Sequence, residues 1–569
     1  MKKQQRACTR REMLRLSSAG LLEAGIALSS AAAAPRRTLA YRWVYIQCNL
    51  QVDAEVARLK GILQRAAAAG YNGIVLSDYK FGFLDRVIPV YFQNAQAVLQ
   101  SAKQLGLKVY TTVCPIGYSN ELLVNDPNLA EGLPVREATY RVQGREAILV
   151  PSAKASLTNG DFREANGNTL VGWSFQDNPG DSTFADSAVE RNGLPSLRIE
   201  ESKHRNARIM QTVSVAPWRQ MRLSVWAKTA DFQGGDQVGS VVLGADGKSL
   251  AYMQWDFAPN QDWRQYSVVF NTLQNRQINV YLGVWGGRGG KLWFNGARLE
   301  DVGLLNVLRR DGCPLEVRGE NGQLYREGAD FEPISDPFLM KSPGDYDIQH
   351  EPPNIRLTQQ SRISDGERLF VSFYHPVPIY GWAVSCCLTA PKVYALLRHQ
   401  LELVQRYFHP DGFFFAHDEM RVANWCRLCR ATHKTPGQLL ADNIQRCAEM
   451  AHAVNPQAEQ FVWSDMFDPY HNAVADYYLV NGSLTHSWDG LPKQMIIVNW
   501  NREHDKQSLS WFGDRGFKQI LAGYYDGPPE SIRDWLQDAR GVAGVVGVMY
   551  TTWQQRFDDL EAFAKAAWV

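Results

Sequence analysis

Two adjacent carboxylic acids follow an apolar run in the stretch FFFAHDEM, residues 413–420. Asp418 and Glu419 come directly after the run, and His417 precedes them. Two carboxyl groups in one pocket raise each other's pKa, so one can keep a proton near neutral pH and act as an acid. Neighbouring side chains on a strand point to opposite faces, so the pair shares a pocket only where the strand bends. The alternative is a helix N-terminus, with Asp418 as the cap and Glu419 in the first turn.

Other candidate residues are predicted to lie at the carboxyl ends of further strands. Those strands are predicted from the apolar runs YRWVYIQC, YNGIVLSD, LKVYTTVCP, GFFFAHDE, EQFVWSDMF, QMIIVNWN, FKQILAGYYD and VVGVMYTTW. If the strands are parallel, their carboxyl ends meet on one side of the sheet. The residues expected there, besides His417, Asp418 and Glu419, are Arg42, Asp78, Trp463, Asp465, Asn499, Trp500, Tyr524, Tyr525, Asp526, Tyr550 and Trp553. Carboxylates and aromatic rings in one pocket favour the binding and cleavage of sugars.

The elements that must position these residues alternate between strands and amphipathic helices. Helices such as VARLKGILQRAAAAG separate the strands, which predicts a parallel sheet buried on both faces. Nine candidate strands exceed the eight of a (β/α)8 barrel, and RLFVSFYHP is the one we predict to be surplus. We therefore predict an α/β protein, a (β/α)8 TIM barrel interrupted after its third strand by an antiparallel β-sandwich of jelly-roll type. Residues 41–150 and 368–569 form the barrel, 155–302 the sandwich, and 303–367 an irregular connector with a β-hairpin.

The inserted segment is rich in short alternating strands, turn residues and tryptophans. Its tryptophans are core residues or a platform for a sugar ring: Trp173, Trp218, Trp226, Trp255, Trp263, Trp285 and Trp293. The opening TNGDFREANGNTLVGWSF resembles the start of a jelly-roll carbohydrate-binding module. The resemblance implies glycan binding, and a structural calcium near Asn159 and Asp161.

The N-terminus and the charge balance bear on location and partners. TRREMLR followed by LSSAGLLEAGIALSSAAAA predicts a twin-arginine signal peptide over residues 1–34, and thus a periplasmic or extracellular protein of a bacterium. The alternative is a basic tail before an unrelated helix. No other stretch approaches the ~20 apolar residues of a membrane span, so we expect none in the mature chain. The net charge of +1 gives no electrostatic reason to expect nucleic acid as a partner. The sequence leaves the oligomeric state open.

The strand-end residues resemble the family 20 glycoside hydrolases, the β-N-acetylhexosaminidases. In that family an Asp-Glu pair ends the fourth strand. The resemblance implies that Glu419 is the general acid/base and that Asp418 orients the acetamido group of the substrate as the nucleophile. It implies no cofactor for catalysis, and sugar contacts for the matching residues Arg42, Asp78, Trp463, Asp465, Trp500, Tyr524, Asp526 and Trp553.

Three departures from the family pattern leave the substrate open. Ala416-His417 replaces Gly-Gly before the pair, the third strand leads to CPIGY without a histidine, and Gln555 replaces a sugar-binding glutamate. One alternative is a retaining or inverting glycosidase of non-acetamido sugars with a separate carboxylate, Asp526 or Asp465. Another is a non-catalytic glycan-binding surface protein.

Cys426 and Cys429 form a Cys-x-x-Cys pair just after the carboxylates. A structural metal usually needs four ligands, and a second such pair is missing from the sequence. A local disulfide or two structural thiols is the preferred interpretation, with a metal site and redox chemistry as alternatives.

Overall fold

The computed structural model describes residues 39–152, 155–339, 341 and 344–568. The predicted signal peptide lies outside the described residues. The chain divides into two compact units. The barrel unit contains the described residues up to 126 together with 385–424 and 429–568, and the sheet unit contains 127–384 and 425–428. Within the described part of the chain, no helix is long and apolar enough to cross a membrane.

The barrel unit begins with three strands and the helices that connect them. In chain order these elements are β1 (Tyr41–Gln47), α1 (Asp53–Ala68), β2 (Gly73–Ser77), α2 (Pro89–Gln104), β3 (Lys108–Val113) and α3 (Asn120–Leu123). A 3₁₀ helix, Tyr79–Arg86, follows β2. In α1 the buried residues Leu59, Ile62, Leu63 and Ala66 recur at helical spacing, so one face of the helix packs inward.

The sheet unit is built from antiparallel strands. They are β4 (Leu133–Gln143), β5 (Glu146–Leu149), β6 (Ala165–Asn166), β7 (Thr169–Leu170), β8 (Phe175–Gln176), β9 (Thr183–Arg191), β10 (Leu194–Glu200), β11 (Ala207–Ser214), β12 (Gln220–Ala230), β13 (Gln237–Gly244), β14 (Ser249–Ala251), β15 (Gln261–Asn271), β16 (Gln277–Trp285), β17 (Lys291–Asp301), β18 (Glu316–Gly319), β19 (Leu324–Tyr325), β20 (Ile355–Arg356) and β21 (Arg368–His375). Three larger sheets have the orders β15-β12-β17-β10-β9, β14-β13-β16-β11-β8 and β19-β18-β21-β4-β5-β20.

The chain then completes the barrel. The remaining elements are α4 (Pro391–Phe408), β22 (Gly412–Phe415), β23 (Val422–Ala423), α5 (Arg427–Ala431), α6 (Pro436–Val454), β24 (Glu459–Trp463), β25 (Leu479–Val480), β26 (Ile496–Asn499), α7 (Asp505–Asp514), β27 (Gln519–Tyr524), α8 (Ile532–Asp538), β28 (Val545–Thr551) and α9 (Leu560–Ala567). Helix α6 begins with a capping box, in which Thr435 and Gln438 bond reciprocally to each other's backbone N–H groups.

The barrel closes in the order β1-β2-β3-β22-β24-β26-β27-β28, and every pair is parallel. Its interior is filled by large side chains. The rings of Trp43 and Tyr110 lie 4.1 Å apart, and Phe461 packs against both. The interior is therefore a packed core, and only the ends of the barrel offer space for a ligand.

The prediction of a regular (β/α)8 TIM barrel is wrong, although the closed parallel barrel is present. The connection from β24 to β26, residues 464–495, contains no α-helix, only the 3₁₀ turns Asp465–Phe467 and Ser487–Gly490 and the short strand β25. This segment is rich in Pro, Gly, Asn and Asp, which disfavour helix interiors. The regular ring of helices is therefore incomplete.

The inserted segment also differs from the predicted single sandwich. Strand β21, predicted to be surplus, lies outside the barrel in the six-stranded sheet, which confirms that prediction. The expected hairpin is present as β18 and β19, but these strands join β21, β4, β5 and β20 in that sheet. Residues 303–367 therefore supply strands to a regular sheet, and 127–150 and 368–384 belong to the sheet unit.

Candidate functional site

The Asp-Glu pair lies at the carboxyl end of the barrel strand β22, whose four residues are all buried. Residues 416–421 are not helical, so the alternative of a helix N-terminus is wrong. The loop after β3 approaches the pair closely. A Cβ at Gly117 would lie 1.7 Å from the carbonyl oxygen of Asp418, so only glycine fits at this position.

Glu419 is 1% exposed and has a left-handed backbone with φ of 49°. Its Oε2 lies 2.7 Å from Nη2 of Arg421 and accepts a hydrogen bond from the Tyr118 hydroxyl. Nη1 of Arg421 also donates to the Tyr118 oxygen at 3.0 Å. The three side chains thus form a closed triangle, and the guanidinium favours the ionised form of the carboxylate.

Arg421 is a buried cation with 2% of its surface exposed. Burial opposes its charge, but the Glu419 carboxylate together with Tyr118, Tyr477 and Tyr478 outweighs burial and raises the arginine's pKa well above its ordinary value. The guanidinium also lies 5.1 Å from the ring centre of Tyr118 and 5.3 Å from that of Tyr478. Sequence reasoning missed Arg421 and Tyr118. Their only signals were a cation two residues beyond the pair and a tyrosine near the position where a family histidine was expected.

Asp465 holds the backbone beneath the pair. Its Oδ2 accepts from the Glu419 N–H and from Nδ2 of Asn472, each at 2.8 Å, and its Oδ1 accepts from Nε1 of Trp500 at 3.1 Å. The side chain is fully buried. Asp465 is therefore brought next to Glu419, as predicted, but its oxygens fix the position of the loop and of Trp500.

Aromatic side chains from five other barrel strands, or from the turns that follow them, surround this region. The ring of Trp463 lies 5.7 Å from Tyr45 and 6.3 Å from Trp553, and Trp553 lies 6.3 Å from Tyr525. Tyr525 stacks on Trp500 at 6.2 Å. Trp463 and Trp500 are 1% exposed, whereas Tyr525 and Trp553 are half-buried. The predicted tryptophans and the predicted Tyr525 thus come together.

Asp418 faces a second group of carboxyls. Burial, followed by the charges of Asp78 and Asp418, raises the pKa of Glu121 well above its ordinary value, and Nε2 of Gln400 donates to Glu121 at 3.2 Å. Asp78 accepts from the N–H groups of Leu50 and Lys80, both at 3.0 Å, and burial raises its pKa. Asp78 therefore shapes the loop after β2, and Glu121 retains its proton more readily than an exposed glutamate.

Three predicted residues lie away from this cluster. Arg42 is the second residue of β1, so it lies at the amino end of the strand, where it donates to the carbonyls of Gly70 and Leu39. His417 points to α6 and its Nε2 lies 2.8 Å from Oδ1 of Asn443. The hydroxyl of Tyr524 donates to Asp559 at 2.8 Å, and its ring stacks on Tyr550. These contacts are structural.

The turn after β27 explains the placement of Tyr524. Tyr524, Tyr525 and Asp526 all have positive φ, between 49° and 74°. Three left-handed residues interrupt strand alternation, so Tyr524 faces outward and Tyr525 joins the aromatic cluster. Asp526 accepts from Thr552 and from the N–H groups of Trp553, at 2.8 Å, and Gln554, at 3.2 Å. It therefore fixes the end of β28 that carries Trp553.

The predicted tryptophans of the sheet unit separate into two groups. Trp173, Trp255 and Trp293 are buried core residues, whereas Trp218, Trp226, Trp263 and Trp285 are half-buried. Trp255 packs against Phe294 of β17, and a Cβ at Gly239 of β13 would lie 2.8 Å from its ring. It therefore lies between the two five-stranded sheets.

One sheet face carries a row of partly exposed aromatic residues. Register places Phe175 of β8 and Tyr281 of β16 on either side of Met210 of β11. The ring of Tyr281 lies 6.5 Å from both Phe175 and Trp285, and Arg208 lies over Phe175 and Trp285. Such a face offers flat rings and hydrogen-bond donors side by side. We call it the aromatic face.

The expected calcium ligands have other partners. Asn159 Oδ1 accepts from the Glu164 N–H at 3.0 Å, and Asp161 lies 3.0 Å from Arg163. Calcium binding here stays a prediction, and it requires Asp161 to leave Arg163.

Cys426 and Cys429 are thiols, like the other six described cysteines. Within the barrel unit, Sγ of Cys429 lies 3.6 Å from Sγ of Cys387 and 3.2 Å from Oγ1 of Thr389. Cys429 is therefore packed beside a thiol that is distant in sequence.

Comparisons with known proteins give distant structural likenesses. No family model matches the chain, and no curated protein matches it. A chitobiase from Flavobacterium johnsoniae is similar over 93% of this chain and 48% of its own, at 10% identity and a TM-score of 0.38. A rhamnosidase from Novosphingobium sp. PP1Y is similar over 91% of this chain and 55% of its own, at 10% identity and a TM-score of 0.32. A xylan-binding domain from Paenibacillus barcinonensis is similar over 26% of this chain and 98% of its own, at 14% identity and a TM-score of 0.20.

The chain thus spans about half the length of the chitobiase and of the rhamnosidase.

Proposed function

We propose that the chain is a glycoside hydrolase whose reaction centre is Glu419. The observation that carries the proposal is the buried Glu419 carboxylate at the end of β22, fixed by Arg421 and Tyr118 among the aromatic side chains of neighbouring strand ends. Glycoside cleavage passes through a positively charged, oxocarbenium-like state, which a fixed carboxylate stabilises. Half-buried rings such as Trp553 and Tyr525 offer faces for a sugar.

The ion pair with Arg421 determines which protonation state of Glu419 is favoured before the substrate binds. A general acid must carry a proton, and the guanidinium favours the carboxylate without one. In the arrangement described, Glu419 is ready to accept a proton or to stabilise positive charge. Donating a proton to the leaving group requires that the contact with Arg421 loosens when the substrate binds. Asp418 remains the candidate for orienting an acetamido group.

Asp465 and Asp526 are weaker candidates for a separate nucleophile. Both Asp465 oxygens accept hydrogen bonds from buried donors, and Asp526 accepts from three groups at the end of β28. A nucleophilic oxygen would have to give up such bonds, so these residues are better suited to positioning Glu419 and Trp553.

A non-catalytic glycan-binding protein is the second candidate, and one observation favours it. The Glu419 carboxylate is already satisfied by Arg421 and Tyr118, as a purely structural carboxylate would be. The aromatic face supplies a surface on which such a protein would hold a glycan. Export by the twin-arginine route, to the periplasm or the outside of the cell, remains part of the proposal in both cases.

Glu419→Gln separates the two candidates. A panel of aryl glycosides with and without a 2-acetamido group is tested with the wild type, this variant and Glu402→Gln, whose carboxyl is on the surface of α4. Loss of about a hundredfold to ten-thousandfold in rate in Glu419→Gln alone supports catalysis. Cleavage limited to acetamido sugars supports substrate assistance. If the wild type cleaves no member of the panel, the non-catalytic glycan-binding protein is the candidate that remains.

A further inference from the structure

The sheet unit contains a cavity of about 490 Å³, and Trp218, one of its half-buried tryptophans, is part of the lining. This volume lies in the range of about 300–1,000 Å³ that is typical of small-ligand pockets. Its lining is Pro134, Val135, Arg136, Glu137, Pro217, Trp218, Arg219, Pro314, Glu316, Ser372, Tyr374 and Arg427. The lining mixes prolines and aromatic rings with five charged groups, so it suits a ligand with both apolar and hydrogen-bonding faces.

Most of the charges in the lining are already paired. Nη2 of Arg427 lies 2.7 Å from Oε1 of Glu316, and Nε of Arg219 lies 3.8 Å from Oδ2 of Asp301. Arg136 and Glu137 are both exposed, and neither side chain forms a hydrogen bond or ion pair with another described residue. One cation and one anion are thus left to face a ligand, side by side.

The two groups are held in place through their backbone and through Trp218. The Arg136 guanidinium carbon lies 3.9 Å from the ring centre of Trp218, and the Arg136 N–H donates to the Trp218 carbonyl at 3.1 Å. The half-buried guanidinium of Arg219 donates to the carbonyls of both Arg136 and Glu137, the latter at 2.8 Å. Glu137 and Trp218 have positive φ, 54° and 58°. Because Glu137 leaves strand alternation, its side chain and that of Arg136 line the same cavity.

We propose that this cavity binds one neutral sugar unit of a glycan. Two adjacent hydroxyl groups of the ring engage the pair, one accepting from Arg136 and the other donating to Glu137. Hydrogen bonds to charged groups are stronger than neutral ones, and a guanidinium stacked on a ring loses little freedom on binding. The prolines and the edge of Trp218 contact the apolar face of the ring. The choice of a sugar rests on the proposed function.

An acidic sugar is disfavoured because Glu137 would repel its carboxylate beside Arg136. The two ligand classes therefore predict opposite effects of one substitution. Glu137→Gln weakens the binding of a neutral sugar, which loses a charged acceptor, whereas it strengthens the binding of an acidic sugar, which loses a repelling neighbour.

Isothermal titration of the full chain tests the proposal with cello-, xylo- and chito-hexaose and with oligogalacturonate. The ligands are titrated into the wild type and into the Glu419→Gln background, where no cleavage can consume them. We expect at least one neutral hexasaccharide to bind, and Arg136→Met and Glu137→Gln each to weaken one site roughly tenfold or more, or remove it from the stoichiometry. Arg141→Met, an exposed arginine on the same strand, and Glu190→Gln serve as matched controls.

Three results overturn the proposal: no neutral hexasaccharide binds, the two variants bind like the controls, or Glu137→Gln tightens the binding of oligogalacturonate while neutral sugars are unaffected. Binding without any hydrolysis by the wild type would reject the proposed hydrolase but leave this site intact. Hydrolysis by the wild type, with sugar binding unchanged in the two variants, would reject this site but leave the proposed hydrolase intact.

Discussion

Nη2 of Arg421 lies 2.7 Å from Oε2 of Glu419, and both side chains are almost completely buried. Breaking such a pair leaves one charge without compensation, which costs about 3–5 kcal/mol in a protein interior. The pair therefore links the stability of the loop after β22 to the protonation state of its central carboxylate.

Replacing Arg421 by Gln should move the acidic limb of the pH–rate profile to higher pH. The carboxylate loses the charge that favours its ionised form, so its pKa rises. The measurement is kcat/KM against pH on the best aryl glycoside, with Arg65→Gln, which breaks an exposed ion pair with Glu561, as the control. An unchanged limb in a folded Arg421→Gln protein would show that Glu419 does not govern the rate.

Asp465→Asn should lower kcat about a hundredfold with little change in KM. The amide places a donor where Asp465 now accepts from the Glu419 N–H, Asn472 and Trp500, so the Glu419 carboxylate is displaced. The control is Asp468→Asn, a buried aspartate that binds Tyr470 and Asn501 instead. Equal losses of kcat in both variants, in step with lost stability, would argue against a positioning role for Asp465.

Glu121→Gln should reduce the pH dependence of stability. The raised pKa of Glu121 means that the folded state keeps a proton that the unfolded state releases, so stability falls as pH rises from about 4.3 toward the folded pKa. Gln mimics the protonated acid and does not titrate, so the variant lacks this pH-dependent loss of stability. Urea midpoints at pH 5 and pH 8 should therefore differ less in the variant than in the wild type. Glu402→Gln, on the surface, should keep the wild-type difference; the same reduction in both variants would contradict the prediction.

Oxidation should join Cys387 to Cys429. Their sulfur atoms lie 3.6 Å apart and a disulfide needs about 2.05 Å, which a small side-chain movement supplies. Each bond formed consumes two thiols and reduces one oxidised glutathione to two thiols. Peptide mapping after incubation with oxidised glutathione, at a urea concentration below the unfolding midpoint, identifies the product. Recovery of a Cys426–Cys429 peptide instead would favour the local pairing expected from the sequence.

Strands that are buried on both faces were predictable from the sequence because continuous apolar runs mark them. All eight barrel strands coincide with such runs. RLFVSFYHP, the ninth candidate, was correctly predicted to lie outside the barrel. The absence of an α-helix between β24 and β26 was not predictable, because a connection of this length can contain a crossover helix.

Within the site, residues next to strand ends were predictable, and residues fixed by backbone handedness or distant contacts were not. Arg42 was misplaced although β1 begins at Tyr41 as predicted, because the family resemblance put it at the sugar-binding end, whereas the second residue of a strand lies at the amino end. Tyr524, which the resemblance placed against the sugar, faces outward, and Tyr525 packs with the tryptophans instead, because three left-handed residues break strand alternation. Tyr118 and Arg421 are 303 residues apart, so no local pattern could bring them together.

The closing of the barrel has a consequence for biosynthesis. The Val109 N–H bonds to Asp411, 302 residues further along the chain, and β1 pairs with β28, the last strand. Both edges of the sheet β1-β2-β3 are therefore completed by strands that leave the ribosome later. At about 5–20 residues per second, the β3 edge waits for roughly 15 to 60 seconds before β22 emerges, and the β1 edge waits longer, until β28 emerges. During this interval the nascent chain exposes two unpaired strand edges, and it is then that a chaperone would be needed.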